Sequence, residues 1–388
     1  MAHFDVVIVG AGPAGSWTAF RLASRGVRVG VLDASHPREK PCGGGLTGRA
    51  LALVGPALEP GSMASVRITA GRFTHRARSA VVELDSDDPS DLPLVVSGRR
   101  AFDGALLASA IRAGAVHIPQ RVTGITRALN GWSIDTRDGR IDATWIVGAD
   151  GANSLVRRSV ARPFAREDLS IAVGYFVHGH TAGEIDVVFE DSPAGYLWSF
   201  PRPDHLAVGI CAQADVTSSS MLLTQARSWI DRHAAGGTLE RYGWPIPSLG
   251  EAALANEHPG GHGWMLVGDA AGLVDPITRE GIFFALQSAE MAADALLAGS
   301  NPAETYVRRL RREIHDELAR AAHLKARFFQ PRFMGLLLQG LERSARVRAV
   351  MADLVAGRQT YAGLRRRLLK TLEWRLMAEL FGLRGFRL

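Results

Sequence analysis

The sequence predicts an α/β fold: a parallel, helix-covered sheet, interrupted by an inserted antiparallel sheet and followed by a helical C-terminal region. Three observations carry that prediction. Residues 4–33 read strand, glycine turn, helix, strand, a βαβ unit that implies a parallel sheet. Residues 170–211 are short strand-like runs separated by turns rich in Gly, Pro and Asp. Residues 303–388 have helical periodicity almost throughout.

Each element follows in order. Residues 4–9 form a buried strand, 14–24 a helix and 27–32 a second strand ending at Asp33. Residues 43–63 are rich in Gly, Leu and Ala and open on Gly43-Gly44-Gly45. Residues 64–98 alternate polar and apolar positions around an acidic loop, Asp85-Ser86-Asp87-Asp88. Residues 102–113 read as a helix with Asp103 near its start. Residues 132–147 hold strands divided by Asp138-Gly139, a hairpin turn signal. The antiparallel runs are 171–177, 184–190, 195–200 and 205–211, and residues 281–298 are again helical.

Composition sets the outer limits. The chain has 388 residues, 47% hydrophobic and 22% charged, which suits a sizeable core and argues against disorder. Two cysteines, Cys42 and Cys211, fit a reducing compartment and give no disulfide framework. The apolar run after Asp5 is too short for a signal peptide, and none reaches the roughly 18–20 residues of a membrane span. A cytoplasmic protein is expected, with contact to a membrane surface left open. Residues 308–388 carry 19 Lys+Arg against 7 Asp+Glu, net +12; the remainder carries 26 against 32, net −6. No nucleic-acid-binding module accompanies this charge, so no nucleic-acid partner is expected. His178 and His180 lack neighbouring ligands, so no metal site is expected.

Gly10-Ala11-Gly12-Pro13-Ala14-Gly15 lies between the first strand and helix. Gly10 permits the tight turn, Gly12 the approach of a pyrophosphate, and Gly15 close helix–strand packing, with Ala14 inside the turn. The helix N-terminus offers N–H groups and partial positive charge to phosphate. Asp33, followed by Ala34, sits where a carboxylate accepts hydrogen bonds from ribose hydroxyls. This motif alone would suit NAD as well as FAD.

Two further segments point to FAD. Val267-Gly268-Asp269-Ala270-Ala271-Gly272, with Glu280-Gly281-Ile282, resembles the second FAD motif of glutathione-reductase-like and hydroxylase-like flavoproteins. The resemblance implies that Gly268 and Asp269 bind the ribityl chain and that the helix starting near Gly281 and Ile282 faces the flavin N1–C2=O edge. Residues 148–154 with Arg157 look like the "DG" motif of flavin monooxygenases; the plainer reading makes Asp150 a helix cap. Arg99 matches a further family position near the FAD. The fold implied is a Rossmann-type FAD-binding domain of hydroxylase-like build (1–63, 95–165, 260–302). A substrate-binding β-sheet domain (64–94, 166–259) and a helical region (303–388) complete it.

Lys40-Pro41-Cys42-Gly43-Gly44-Gly45 and Tyr196-Leu197-Trp198-Ser199-Phe200-Pro201, ahead of Gly209, resemble the geranylgeranyl reductase family. The tail residues 353–357, Tyr361 and Leu364 are similar to its C-terminal helices. The resemblance implies reduction of FAD by NADH or NADPH and hydride delivery to a prenyl C=C bond. It places Cys42 and Gly43 beside the flavin and gives catalysis to Cys42, Tyr196 and Trp198. From the residues alone, Tyr196, Trp198 and Phe200 share one strand face. That face suits an apolar or aromatic substrate, or else core packing; Cys42 in turn could be a small buried apolar residue.

Gly272 and Phe283-Phe284 stand where aromatic-ring hydroxylases carry His and Asn, which favours the reductase branch. Flavin halogenases carry Trp and Ile where Tyr196 and Phe200 stand. Arg279 replaces the glycine of the reductases' Thr-Gly-Glu-Gly-Ile segment and adds charge beside the flavin. Two other activities fit the same motifs: class A-type monooxygenation of an aromatic ring, such as a free or peptide-borne indole, and a flavin-binding scaffold. In the tail, Leu368, Leu369, Leu372, Leu376 and Leu380 recur at helical spacing against Arg365, Arg366, Arg367, Lys370 and Arg375. This pattern fits a helix docked on the body, a surface for anionic lipid, or a dock for an acidic protein.

Overall fold

The computed structural model describes residues 3–382 other than 87, 89 and 372. Asp87 of the acidic loop and Leu372 of the tail's leucine row lie outside the described residues. The fold is α/β, with three sheets.

The first sheet places His3–Val9 at its centre, parallel to Val29–Leu32 on one side and to Gly139–Gly148 on the other. Val116–Ile118 and Trp264–Leu266 extend it in parallel. Val6 to Val9 are all buried because helices or loops cover both faces, so the run shows no alternation. The helices Pro13–Ala23, Arg99–Arg112 and Ile282–Ala298 pack together against this sheet. A meander of Val122–Ala128, Gly131–Thr136 and Gly139–Gly148 turns at the expected Asp138-Gly139.

The second sheet has seven strands, in the order Thr238–Pro247, Leu169–His178, His205–Gln213, Ala194–Pro201, Ile185–Asp191, Ala70–His75 and Arg78–Glu83. One face packs on the helix Ser219–His233 through Val173, Leu197, Val208 and Ile210. The opposite face carries Ala172, Trp198 and Cys211 and turns toward the C-terminal helices. A small third sheet joins Gly45–Leu46 and Ser65–Arg67 through Val95–Ser97.

The tail folds into six α-helices from Pro302 to Phe381. The leucine row does not form one helix. Leu364 and Leu368 belong to Tyr361–Leu369, while Leu376 and Leu380 belong to Trp374–Phe381. All four are buried, and Leu369 is exposed. The apolar stripe is therefore an inward, docked surface. The helix Ser219–His233 and the edge strand Thr238–Pro247 were not anticipated. The strand pairs on one side only, with Leu169–His178, and its prolines, Pro245 and Pro247, are tolerated at a sheet edge.

Candidate functional site

The glycine turn has the geometry its spacing implies. Gly10 has φ +104°, and a β-carbon there would lie 2.4 Å from Ala149 O. At Gly15 a β-carbon would come within 1.9 Å of Gly10 O. At Gly12 it would meet only His36 Nε2, at 3.7 Å, so this side of the turn is open. Gly12 precedes the helix Pro13–Ala23 with no side-chain cap, leaving first-turn N–H groups available to a phosphate. Ala14 sits under the second motif: a β-carbon on Gly268 would lie 3.1 Å from Ala14 Cβ.

Asp33 is held in place by backbone and side-chain donors. Its Oδ2 accepts from Ala11 N–H at 3.0 Å, and its Oδ1 from the backbone and hydroxyl of Ser35, both at 2.7 Å. Ala34 is exposed on this turn. His36 Nδ1 lies 2.8 Å from Asp33, and its Nε2 lies 3.2 Å from Asp103. Asp103 is paired with Arg99 at 2.8 Å. Burial raises the Asp33 carboxyl, but His36 and the Ala11 and Ser35 N–H groups outweigh it and hold the group well below the usual range. Burial lowers His36, and Asp103 with Asp33 outweighs that and raises it. Arg99 thus joins the site through a buried ion-pair row whose middle member, His36, the motif reading missed.

The flavin-edge motif closes on the same place. Asp269 accepts from Lys40 Nζ at 3.0 Å, and a β-carbon on Gly281 would lie 3.4 Å from Asp269 Oδ1. Gly281 precedes the helix Ile282–Ala298 with no side-chain cap, so the helix start at Ile282 is open. Uncapped helix starts at Gly12 and Gly281, glycines where a side chain would intrude, and carboxylates at Asp33 and Asp269 fit a flavin dinucleotide.

Asp150 takes the capping role. Its Oδ2 accepts from Leu155 N–H at 2.6 Å and Val156 N–H at 3.2 Å, and its Oδ1 from the Ser154 hydroxyl at 2.5 Å. Burial raises its carboxyl. Arg157 pairs with Glu257 at 2.6 Å and donates to Ala270 O at 3.2 Å, tying the segment to Asp269.

The Cys42–Gly45 loop and the Tyr196–Phe200 strand meet directly. A β-carbon on Gly43 would lie 2.8 Å from Phe200; on Gly44, where φ is +83°, it would lie 2.7 Å from Arg202 Cζ. Arg202 is 1% exposed. It donates to Ser97 O and to Cys42 O, the latter at 2.9 Å, and lies 3.6 Å from Glu39. Glu39 in turn accepts from Arg99 N–H at 2.9 Å. Arg202 and Glu39 were not singled out from the sequence, although Arg202 directly follows the Tyr-x-Trp-x-Phe-Pro segment.

Cys42 is half-buried, and its sulfur accepts from Gly44 N–H at 3.3 Å. Tyr196 donates its hydroxyl to Thr278 O at 2.7 Å, tying the sheet to the flavin-edge loop. Trp198 is buried over Gly209, where a β-carbon would lie 2.2 Å from its ring. These groups border an apolar cavity of about 260 Å³. Its walls run from Cys42 and Gly281 past Tyr196, Trp198 and Phe200 to Leu364, Leu368 and Leu376 of the tail. The cavity thus joins the Cys42 loop and the helix start at Gly281 to the helical region, a connection the motifs alone did not reveal.

The FAD binding domain model matches residues 3–223. The digeranylgeranylglycerophospholipid reductase of Methanothrix thermoacetophila is 31% identical, over 84% of this chain and 88% of that protein. The menaquinone reductase of Mycolicibacterium smegmatis is 31% identical, over 76% of each chain. A geranylgeranyl bacteriochlorophyll reductase-like structure from Thermoplasma acidophilum superposes with a TM-score of 0.78 at 22% identity. It covers 96% of this chain and 100% of that one, a likeness of fold.

Proposed function

The chain belongs to the geranylgeranyl reductase family of FAD-dependent oxidoreductases, and from that premise we propose that it reduces a C=C bond in a long, prenyl-bearing apolar substrate at the expense of NADH or NADPH. The cavity carries this reading: it is lined mostly by apolar side chains, and Cys42 and the uncapped helix start at Gly281 are part of its wall. Bound FAD would supply the hydride.

The remaining work falls to the chain. Gly12 and the first turn of Pro13–Ala23 would hold the pyrophosphate, Asp33 the adenosine ribose and Asp269 the ribityl chain. Tyr196, Trp198 and Phe200 would lay the alkene along the wall and exclude water. The Cys42 thiol is the protic group best placed to deliver the proton that completes the reduction, since the Tyr196 hydroxyl already donates to Thr278 O. The thiolate left behind would regain a proton from solvent.

In the tail, Arg365, Arg366, Lys370 and Arg375 are exposed beside Leu369 and Trp374. This mixed face supports peripheral contact with anionic lipid, which would bring the enzyme to its substrate. No helix among the described residues is long and apolar enough to cross a membrane.

The test is anaerobic reduction of the FAD-loaded protein by NADPH, followed by a geranylgeranyl lipid and mass spectrometry. Two added hydrogens per reduced double bond, without oxygen, are expected. Hydroxylation of an aromatic substrate that needs oxygen, with no alkene saturated, overturns the proposal.

A further inference from the structure

A polar cluster beside the cavity has no part in the reaction above. Arg279 stands on the flavin-edge loop with φ +61°. A non-glycine residue held there is strained, and glycine would sit without strain. The Arg279 guanidinium donates to Ser248 Oγ, and its Nε is buried without a partner. Lys325, on the helix Asp316–Phe328, donates to Ser248 Oγ at 2.8 Å and Gln213 Oε1 at 2.6 Å.

Strand register places Gln213 on the sheet face that borders the cavity. Gln213 lies two residues beyond Cys211, and Cys211 pairs across the sheet with Tyr196 and with Ala172. Both Arg279 and Tyr196 line the cavity. Among the described residues, neither Arg279 nor Lys325 is ion-paired with a carboxylate. Nearby Asp275 is turned to the N–H groups of Ile277 and Thr278 and to the Tyr361 hydroxyl. Asp215 acts on Lys325 only as a minor charge; burial, then Arg279, lowers the ammonium to about 7. Two basic groups therefore share neutral acceptors, in a setting where unpaired charge is costly. Backbone strain and uncompensated charge coincide at one residue, and an arriving anion would offset both.

We propose that Arg279 and Lys325 form a subsite for the carboxylate of an amphipathic acid whose apolar chain occupies the cavity. The inference rests on reading the cavity as the substrate site. A guanidinium fork matches a planar carboxylate. A carboxylate monoanion balances the single guanidinium, with the Lys325 nitrogen as a further donor.

The FAD-loaded protein is titrated with geranylgeranoic acid, geranylgeranyl monophosphate and geranylgeraniol, following flavin absorbance. The acid is expected to bind about tenfold tighter than the alcohol. Arg279→Gly and Lys325→Met should each bring the acid down to the alcohol's affinity, with alcohol binding changed by less than about threefold. Arg279→Gly relieves backbone strain, so its FAD content and melting temperature should hold. An acid that binds no tighter than the alcohol, a phosphate that binds tighter than the acid, or a full preference surviving Arg279→Gly overturns the subsite. If none of the three perturbs the flavin, the substrate reading of the cavity falls, and the subsite with it.

Discussion

Individual side chains set how the dinucleotide end of the site responds to acid and base. Asp33, Asp103, Arg99 and His36 form a buried row that is neutral only when His36 is protonated. His36 is raised in the folded state, so its stabilising contribution is fully present below its unfolded value of about 6.5 and lost as pH rises through the folded value. Asp33 is depressed, so its contribution is present above the ordinary carboxylate range and lost only in strong acid. Urea denaturation from pH 6 to 9 should show stability falling by at most about 1.4 kcal/mol per pH unit, and His36→Asn should flatten the fall. The glycines separate folding from binding. Gly15→Ala drives a β-carbon into Gly10 O and should cost about 1–3 kcal/mol of stability. Gly12→Ala meets open space, so it should fold normally and lose FAD affinity; denaturation and flavin retention of the two variants together check the contrast.

Between elements, Arg202 holds the Cys42 loop to the aromatic strand. Arg202→Met would leave Ser97 O and Cys42 O without their donor and should destabilise by about 3 kcal/mol. It should also disturb the flavin fluorescence if, as proposed, the loop it supports lies beside the flavin; a melting curve and an emission spectrum test both. Arg202 also marks where sequence reading stops. The Gly10–Gly15 turn, Asp33 and the Asp269–Gly281 segment were legible because backbone geometry within a few residues dictates them. Arg202 and His36 depend on partners 105, 160 and 67 positions away, which no local pattern reveals. Asp150 shows the opposite case: its bonds to Leu155 N–H and Val156 N–H, beside the Ser154 N-cap, are local and agree with the plain reading, and its part in cofactor binding is a separate matter. The edge strand Thr238–Pro247 escaped because Gly243, Pro245 and Pro247 break the polar–apolar alternation that marks a half-buried strand.

At the scale of the whole molecule, the helical tail is the roof of the cavity. Of the readings that the leucine row allowed, the docked helix is the one displayed: Leu364, Leu368 and Leu376 are inside, while Arg365, Arg366, Lys370 and Arg375 are exposed. Tyr361 ties this roof to the flavin side by donating to Asp275 Oδ2 at 2.9 Å, while Asp275 Oδ1 shapes the turn before Arg279. The roof should therefore set how long a substrate can be, independently of cofactor binding. Leu368→Trp adds bulk to the cavity wall far along the chain from the Gly10 and Asp269 motifs, so FAD content should not change. Geraniol, farnesol and geranylgeraniol titrated into wild type should bind progressively tighter as more apolar surface is buried. In Leu368→Trp the gain should stop at the shorter alcohols, with geranylgeraniol weakened about tenfold or more. Uniform weakening of all three would instead mean that the tail contributes to general stability and does not measure the chain.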